Sequence, residues 1–363
     1  MPANNIKIVH CADFHLDSPL ALSGKAPIAN QDLRATFERV CQFCDESNAD
    51  ICLISGDLFD NECSTPMTRD FILHTLSRHK NTRFFMCTGN HDYYHEKSIY
   101  AVIDFPSNVY IFTSAVPDYI DLPELNTRIY GIGCDKPYND CRLLDGFKVH
   151  NNVLINIMLF HGNIVSKGSV SDYFPVSADE IEKTGLDYLA LGHIHSFSGI
   201  KKVGSAAFAY PGIPQGRGFD ETGDKGIITG TVSKLGVNLD FKKIADKIFI
   251  VSDIDISSSS NIYELRDIIQ NSAVSNSFTR INLTGVQKFP LNIKELENSL
   301  DNFLYLEITD STSFPEDFDQ LASERTLKGF FVSDILERKQ QNKDIFTDAL
   351  KYGLLALEGE DIL

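Results

Sequence analysis

Five short segments of the sequence combine aspartate, histidine and asparagine at spacings that suit a metal site. In chain order they are Asp13-Phe14-His15, Gly56-Asp57-Leu58-Phe59-Asp60, Gly89-Asn90-His91-Asp92, His161-Gly162 and Gly192-His193-Ile194-His195. A mixture of imidazole and carboxylate donors suits manganese, iron or zinc better than magnesium or calcium. One such segment alone would be weak evidence, whereas five in this order form a specific pattern.

Phosphodiester hydrolysis is a reaction that this donor set suits. It requires a nucleophile derived from water at neutral pH and neutralisation of charge on the phosphate oxygens, and two metal ions about 3.5–4 Å apart supply both. Asp57 is the natural bridge, because a carboxylate can contact two ions with its two oxygens and one imidazole cannot. Two divalent ions outweigh the negative charges of Asp13 and Asp57, so we expect the site to attract a phosphodiester.

Each of these segments follows a stretch that is predicted to be a β-strand. The predicted strands are Ile6–His10, Ile51–Ser55, Arg83–Cys87, Val153–Phe160 and Leu186–Leu191, with further strands at Val109–Thr113 and Thr127–Ile132. Helices predicted at Asn30–Ser47, Pro66–Arg78 and Ala178–Thr184 alternate with strands, which favours an α/β layered sandwich. Ligands of open α/β sheets lie outside the carboxyl ends of the strands, so the five segments are expected to converge.

The composition limits how the chain can bind its partners. It has 363 residues with 50 acidic and 33 basic side chains, a formal charge of −17, which excludes binding of nucleic acid by bulk positive charge. This length is enough for two or three folded domains, and a hydrophobic content of 43% excludes wholesale disorder. The longest apolar stretch, around Val153–Phe160, is too short to span a membrane, and the N-terminus resembles a first strand, so a cytoplasmic location is expected.

The expected organisation is a catalytic domain at 1–240, a small βαβαβ cap at 241–312 and a C-terminal helical segment at 313–363. The last segment contains an apolar stripe at helical spacing, formed by Phe346, Ala349, Leu350, Gly353, Leu354 and Leu357. The stripe is interpreted either as core or as a partner surface. The pair Cys41 and Cys44 has the spacing of a zinc or redox motif, but both positions fall on the apolar face of a helix and are predicted to be buried.

The order of the five segments resembles the signature of the calcineurin-like metallophosphoesterase superfamily. Together with the segment Tyr210–Phe219, it is similar to the SbcD branch and its YhaO-type members, which are bacterial DNA-repair exonuclease subunits. The resemblance is specific over about the first 235 residues. It implies a layered β-sandwich flanked by helices, a small α+β cap, and two metal ions, preferably Mn²⁺ with iron or zinc as alternatives.

The resemblance also implies a role for each site residue. The ligands of the first metal would be Asp13, His15, Asp57 and His195, and those of the second Asp57, Asn90, His161 and His193. His91 would be the acid near the scissile phosphate and Asp92 its orienting partner. Asp60 stands where archaeal and eukaryotic members have a second histidine, so the role of that histidine does not transfer to this chain.

Three classes of function are compared. The leading one is a Mn²⁺-dependent DNA exo/endonuclease subunit that works with an SbcC-like coiled-coil ATPase on another chain. The sequence contains no phosphate-binding loop of its own, which agrees with an ATPase on another chain. The resemblance also implies a homodimer. The alternative enzyme is a phosphodiesterase for nucleotides or other small phosphoesters. The third class is a non-enzymatic scaffold, which need not keep the ligands.

A few further residues carry expectations of their own. His10 is expected in the core or behind the metal ligands. Arg217 lies between two glycines, and two roles are equally expected for it: contact with a substrate phosphate, or a structural role in its own loop. The remaining isolated histidines are predicted to be surface residues without a partner, and they are His74, His79, His95 and His150.

Overall fold

The computed structural model describes residues 5–18, 30–60, 65–289, 291–313, 318–338, 349–350, 353–354 and 356–357. The strands are β1 (Ile6–Cys11), β2 (Ile51–Ser55), β3 (Arg83–Cys87), β4 (Val109–Phe112), β5 (Asp118–Leu122), β6 (Thr127–Ile132), β7 (Ile155–His161), β8 (Tyr188–Gly192), β9 (Lys201–Val203), β10 (Ala206–Ala209), β11 (Gly226–Ser233), β12 (Gly236–Lys243), β13 (Ile248–Asp255), β14 (Ser277–Thr284) and β15 (Tyr305–Asp310). The helices are α1 (Asn30–Ser47), α2 (Pro66–Arg78), α3 (Ile99–Val102), α4 (Ala178–Thr184), α5 (Ile262–Asn271), α6 (Ile293–Asn298), α7 (Phe318–Ala322) and α8 (Leu327–Glu337). The chain divides into two compact units, Met1–Ile248 and Phe249–Leu363.

Two six-stranded sheets form the first unit. Their strand orders are β12-β11-β1-β2-β3-β4 and β5-β6-β7-β8-β10-β9. Strands β1 to β4 are parallel neighbours, as are β6, β7 and β8. Buried apolar side chains from both sheets form one core, including Ile8 and Leu53 from the first sheet and Ile157 and Ala190 from the second. The structure therefore confirms the predicted layered α/β fold.

The amphipathic helix α1 lies against this sandwich through one apolar face. Leu33, Phe37 and Val40 are buried on that face together with Cys41 and Cys44. Both thiols are free, and burial raises the pKa of Cys41 well above its usual value. The prediction that this cysteine pair belongs to a buried helix face is therefore confirmed.

The second unit contains the three-stranded sheet β13-β14-β15. Strands β14 and β15 are parallel, and Ile281 and Leu283 pack with Leu265 of α5 and Leu296 of α6 in its core. Helices α7 and α8 follow this sheet in the chain.

Part of the C-terminal apolar stripe lies in the second unit as core. Leu350 and Leu354 are helical, almost fully buried, and packed with Val332 of α8. Phe346 lies outside the described residues. Within the described residues, Leu350 and Leu354 therefore pack within the chain, whereas Leu357 of the same stripe is 38% exposed.

Strands β5 and β9 are not predicted from the sequence, and α8 is predicted only as part of the helical segment 313–363. Strand β5 lies at a sheet edge and has two aspartates in five residues, β9 has only three residues, and α8 contains Gly329 within an apolar run without a clear polar face. These features weaken the usual periodic signals. No helix within the described residues has the length and apolar character needed to cross a membrane.

Candidate metal centre

The five predicted segments meet at one edge of the sandwich, where the parallel strands of both sheets end. Asp13 and Asp57 lie directly beyond β1 and β2, and Asn90 lies beyond β3. His161 is the last residue of β7, and His193 follows β8. The carboxyl ends of strands from two sheets thus bring together side chains that are up to 180 positions apart in the sequence.

Three groups of side chains have potential ligand atoms within 4.8 Å of one another. They are Asp13, His15 and His195; Asp13, Asp57 and His161; and His15, Asp57 and His91. Asp57 Oδ2 lies 3.7 Å from His15 Nε2 and 3.3 Å from His161 Nε2, between the two predicted ligand sets. Asp13 also belongs to two of the groups, so both carboxylates are close to donors of both sets.

The atoms around His161 and Asn90 are mainly acceptors that face one another. The Nδ1–H of His161 donates to the carbonyl oxygen of Ser55 at 2.9 Å, which leaves Nε2 without a proton in the neutral ring. That Nε2 lies 2.9 Å from Asn90 Oδ1, and the same oxygen lies 3.1 Å from His193 Nδ1. The two acceptors His161 Nε2 and Asn90 Oδ1 lie this close together when a proton or a metal ion is between them.

The electrostatics of the site agree with this need for a cation. Burial opposes a charge on His161, but the negative charge of Asp57 and a hydrogen bond to it raise the pKa of His161 to about 9. Burial also raises the pKa of Asp13 to about 7. Among the described residues, no lysine or arginine forms an ion pair with either aspartate. The buried oxygens and imidazoles therefore fit divalent metal ions.

The local backbone is adapted to aim these side chains inward. Four of the ten non-glycine residues with positive φ in the described chain are predicted ligands: Asp13 (56°), His15 (48°), Asp57 (49°) and His193 (104°). Such conformations cost free energy and concentrate at functional sites. Gly56, with φ of 84°, also lacks a Cβ that would overlap the His161 ring. A larger residue there would displace a predicted ligand.

Asp92 is placed differently from its predicted role. Its carboxylate is fully buried and accepts hydrogen bonds from the backbone N–H groups of four residues and from the hydroxyl of Tyr100. The four N–H donors belong to Asp57, Leu58, Phe59 and Gly89. Asp92 therefore holds the loop after β2 against the loop after β3, and it is not the partner of His91.

Asp60 is the residue that contacts His91. Its Oδ1 lies 3.0 Å from His91 Nδ1, and its Oδ2 lies 3.7 Å from His15 Nδ1. The hydrogen bond that His91 Nδ1–H donates to Asp60 raises the pKa of His91. The His91 side chain is about half exposed, so its ring is open to a substrate while Asp60 fixes one nitrogen. Asp60, which lies 31 positions before His91, therefore makes the contact that the sequence predicts for Asp92.

Two other histidines show where the sequence was informative and where it was not. His10 is fully buried behind the site, with Nδ1 2.8 Å from the Tyr188 hydroxyl, as expected of a core residue. His79 was expected at the surface without a partner. It is instead buried at the end of α2, and its Nδ1 lies 2.6 Å from Asp45 Oδ2. Asp45, which supplies this contact, lies on α1. A local sequence motif does not predict which helices pack against each other.

Glu221 is a site residue that the sequence analysis missed. It is almost fully buried, its Oε1 lies 2.8 Å from His195 Nδ1, and it forms an ion pair with Arg217. Arg217 is thus engaged by the loop that carries it. Residue 221 lies outside the five segments, and no motif spacing connects it to them. The one indication in the sequence is that an acidic residue follows Arg217, which two glycines flank, at a distance of four positions.

Comparison with known proteins agrees with this geometry. The family model described as calcineurin-like phosphoesterase matches residues 6–197. The uncharacterized metallophosphoesterase YhaO of Bacillus subtilis is 29% identical over 284 residues, which cover 74% of this chain and 67% of the relative. The DNA double-strand break repair protein Mre11 of Archaeoglobus fulgidus is 34% identical over 89 residues, 24% of this chain and 19% of that protein.

Among solved structures, TT1561 of Thermus thermophilus is 10% identical, with a TM-score of 0.41 over 67% of this chain and 99% of that one. The family model contains all five segments of the metal centre and extends over more than half of the 363 residues. The chain therefore belongs to the calcineurin-like phosphoesterase family, whose members are metal-dependent phosphoester hydrolases.

Proposed function

We propose that this chain is a two-metal phosphodiesterase that acts on DNA as the exo/endonuclease subunit of an SbcCD-like repair complex. The observation that carries the proposal is the set of buried carboxylates and imidazoles at the carboxyl ends of both sheets, where no described basic side chain forms an ion pair with Asp13 or Asp57. The resident ions are proposed to be Mn²⁺.

Two overlapping sets of residues would hold the ions. Asp13, His15, Asp57 and His195 form the first set, and Asp57, Asn90, His161 and His193 form the second. Bound divalent ions supply positive charge to phosphate oxygens and lower the pKa of water, which generates a nucleophile at neutral pH. Burial lowers the pKa of His193 to about 4, so its ring is neutral and available as a ligand.

The protein itself would supply the proton for the leaving group. His91 lies at the open side of the site, and its backbone N–H donates to Asp57 Oδ1 at 2.9 Å, which fixes its position relative to the predicted bridge. Asp60 holds His91 Nδ1, so Nε2 is free to face the substrate. A protonated His91 can then donate to the departing oxygen of a phosphodiester.

One relative favours DNA as the substrate, through the short match to a protein named for DNA double-strand break repair. The resemblance of the five segments and of Tyr210–Phe219 to the SbcD branch supports the same proposal, and the longer match is to YhaO, an uncharacterized metallophosphoesterase. The cysteines among the described residues are all free, which suits the reducing cytoplasm where we propose that the enzyme works. A homodimer through α1 and α2 belongs to the same proposal.

A phosphodiesterase for nucleotides or other small phosphoesters is the second candidate. Residues 241–310 include the whole three-stranded sheet β13-β14-β15 and helices α5 and α6, and they contain 7 basic and 10 acidic side chains. A surface that binds the DNA backbone is usually basic. The acidic balance of this unit favours a small substrate that contacts the metal centre alone.

One experiment separates the two candidates. Mn²⁺-dependent turnover is measured on single-stranded DNA, on duplex ends and on bis(p-nitrophenyl) phosphate, each with a chelator control. Hydrolysis of DNA at a kcat/KM well above that for the small diester supports the nuclease. Turnover of the small diester alone supports the second candidate, and no turnover of any of them contradicts both.

The proposed ATPase partner requires a surface outside the metal centre. Leu350 and Leu354 are buried, but Leu327 and Phe330 of α8 are 73% and 68% exposed on one side of that helix. We propose that these two side chains contact the coiled-coil ATPase. Changing both to aspartate should abolish co-purification with that ATPase and leave turnover of the small diester unchanged.

The matched control is Val170→Asp, at a side chain that is 92% exposed in the first unit. It should leave the complex intact. A double variant of α8 that still binds the ATPase would contradict the proposed surface without affecting the proposed chemistry.

A further inference from the structure

The contacts of Glu221 use both of its carboxylate oxygens. Oε1 lies 2.8 Å from His195 Nδ1 and accepts from Arg217 Nη2 at 2.7 Å. Oε2 accepts from the backbone N–H of Arg217 at 2.8 Å and from its Nε at 3.2 Å. The guanidinium of Arg217 supplies the opposing charge for this buried carboxylate. A charged acceptor is thus fixed beside one nitrogen of a predicted ligand.

This contact determines which nitrogen of His195 carries the proton. A carboxylate can only accept, so Nδ1 must donate to Glu221, and Nε2 is left with a free lone pair. Nε2 is the nitrogen that faces the centre, 3.3 Å from His15 Nε2. Histidines that bind metals commonly donate their other N–H to a carboxylate or carbonyl in this way. His161 uses a backbone carbonyl for the same purpose, whereas His195 uses a charged side chain.

Arg217 has two opposite effects on this arrangement. Its positive charge cancels that of Glu221, so the carboxylate orients His195 without making the centre more negative for a phosphodiester. However, Arg217 Nη2 also lies 3.4 Å from His195 Nδ1 and can only donate. Without Glu221, that N–H could donate to Nδ1, and the proton of the ring would then lie on Nε2, where it would block a metal ion.

We propose that Glu221 is a positioning residue that holds His195 in its metal-binding tautomer and keeps Arg217 from reversing it. This inference rests on the proposed metal centre and adds a residue outside the five segments. An amide at position 221 has one acceptor oxygen instead of two, so its NH2 group would face either the ring of His195 or the Nε and backbone N–H of Arg217, and the four contacts cannot all be kept. The proposal therefore predicts a specific loss in Glu221→Gln, which has the same size as the wild-type side chain.

The first test is calorimetric titration of the metal-free protein with Mn²⁺. In Glu221→Gln, we expect one of the two sites to bind about 10–100-fold more weakly and the other to change little. Asp187→Asn is the matched control, since Asp187 is also buried and ion-paired but lies at the other end of β8. It should leave both affinities unchanged. Equal weakening of both sites in Glu221→Gln, or no weakening, would overturn the proposal.

The second test uses Arg217→Gln alone and combined with Glu221→Gln. Because Arg217 is the group that would reverse the tautomer, the double variant should bind Mn²⁺ more tightly than Glu221→Gln does. A double variant that binds as weakly as that single variant, or more weakly, would contradict the tautomer mechanism. Thermal unfolding of each metal-free variant separates these effects from a general loss of stability.

These measurements are independent of the substrate. If the wild-type protein binds two Mn²⁺ ions but hydrolyses neither DNA nor the small diester, the proposed function fails and the role of Glu221 can still be tested. If it binds no Mn²⁺, both proposals fail.

Discussion

The two ends of the parallel strands in the first unit treat charged side chains in opposite ways. At the amino ends, acidic residues are paired with basic ones: Glu124 with Arg83 at 2.7 Å, Asp121 with Arg128 at 2.6 Å, and Asp187 with Lys234 at 2.9 Å. At the carboxyl ends, Asp13, Asp57 and Asp92 are more deeply buried. Within the described residues, none of these three forms an ion pair with lysine or arginine.

The difference shows that, in the part of the chain that the structure describes, burial of a carboxylate without a basic partner is confined to the carboxyl ends of the strands. A buried carboxylate is costly unless other groups compensate its charge. Asp92 receives hydrogen bonds from N–H and hydroxyl groups, and Asp57 lies near two imidazoles, but burial leaves Asp13 with a pKa of about 7. The acidic side chains at the amino ends are balanced by lysine and arginine, whereas Asp13 and Asp57 at the carboxyl ends are balanced once cations bind. Four changes test this contrast.

The largest effect is expected for Asp57→Asn. An amide cannot contact two cations with two charged oxygens, so most bound metal and nearly all hydrolysis should be lost together. The variant should also lose the stabilisation that Mn²⁺ gives the wild type, which is about 2.7 kcal/mol at a concentration 100 times the dissociation constant. Metal analysis and thermal unfolding measure both. Retention of two full equivalents of metal would contradict the bridging assignment.

His91→Asn should affect the chemistry and leave the metals in place. Loss of a general acid typically lowers turnover by about 10²–10⁴-fold. The loss should shrink for p-nitrophenyl esters, because p-nitrophenolate scarcely needs a proton when it leaves. Metal content and DNA binding serve as controls. Equal losses on DNA and on the activated ester would indicate that His91 positions the phosphate instead of protonating the leaving group.

Asp60→Asn is expected to have a smaller effect than His91→Asn, about 10–10²-fold, because the ring remains but is less firmly oriented. Asp60 raises the pKa of His91, and a general acid is active in its protonated form. Removing the charge at position 60 should therefore lower that pKa and move the alkaline limb of the rate profile to lower pH. A fall in rate with an unmoved alkaline limb would separate Asp60 from the His91 proton.

The smallest effect is expected at the amino end. Asp187 accepts from Lys234 Nζ and from the backbone N–H of Asn156 at 2.8 Å. Asp187→Asn should lower the free energy of unfolding by about 1 kcal/mol, as measured by denaturant titration. Metal content and turnover should match the wild type. A loss of metal in this variant would show that the two ends are coupled and would remove the contrast between them.

Much of the frame that positions the site follows from local sequence patterns. The predicted bounds of β2, β3, β6, α1 and α4 agree with the structure, because buried strands are continuous apolar runs and these helices have amphipathic faces or capping residues. The convergence of the five segments also follows, since parallel strands present their carboxyl ends at one edge. These features depend on interactions close in the sequence or on a general rule of topology.

The contacts between loops do not follow from such patterns. Asp60 contacts His91 across 31 positions, and Glu221 contacts His195 across 26. Asp92 stands next to His91 in the chain, but its side chain points away, toward the backbone of the loop after β2. Neighbouring positions in a turn face different directions, so sequence adjacency misidentified the partner. Only the folded arrangement of the loops reveals these pairs.

The burial of Asp92 has a consequence for how this edge of the sandwich opens. Its carboxylate accepts from the amides of Asp57, Leu58, Phe59 and Gly89, which lie in loops where amides are usually exposed to water. These four amides should therefore exchange their hydrogens with deuterated solvent slowly and at similar rates, because one side chain must release all of them. Their common exchange rate would report the free energy required to separate the two loops, which is a local property distinct from global unfolding.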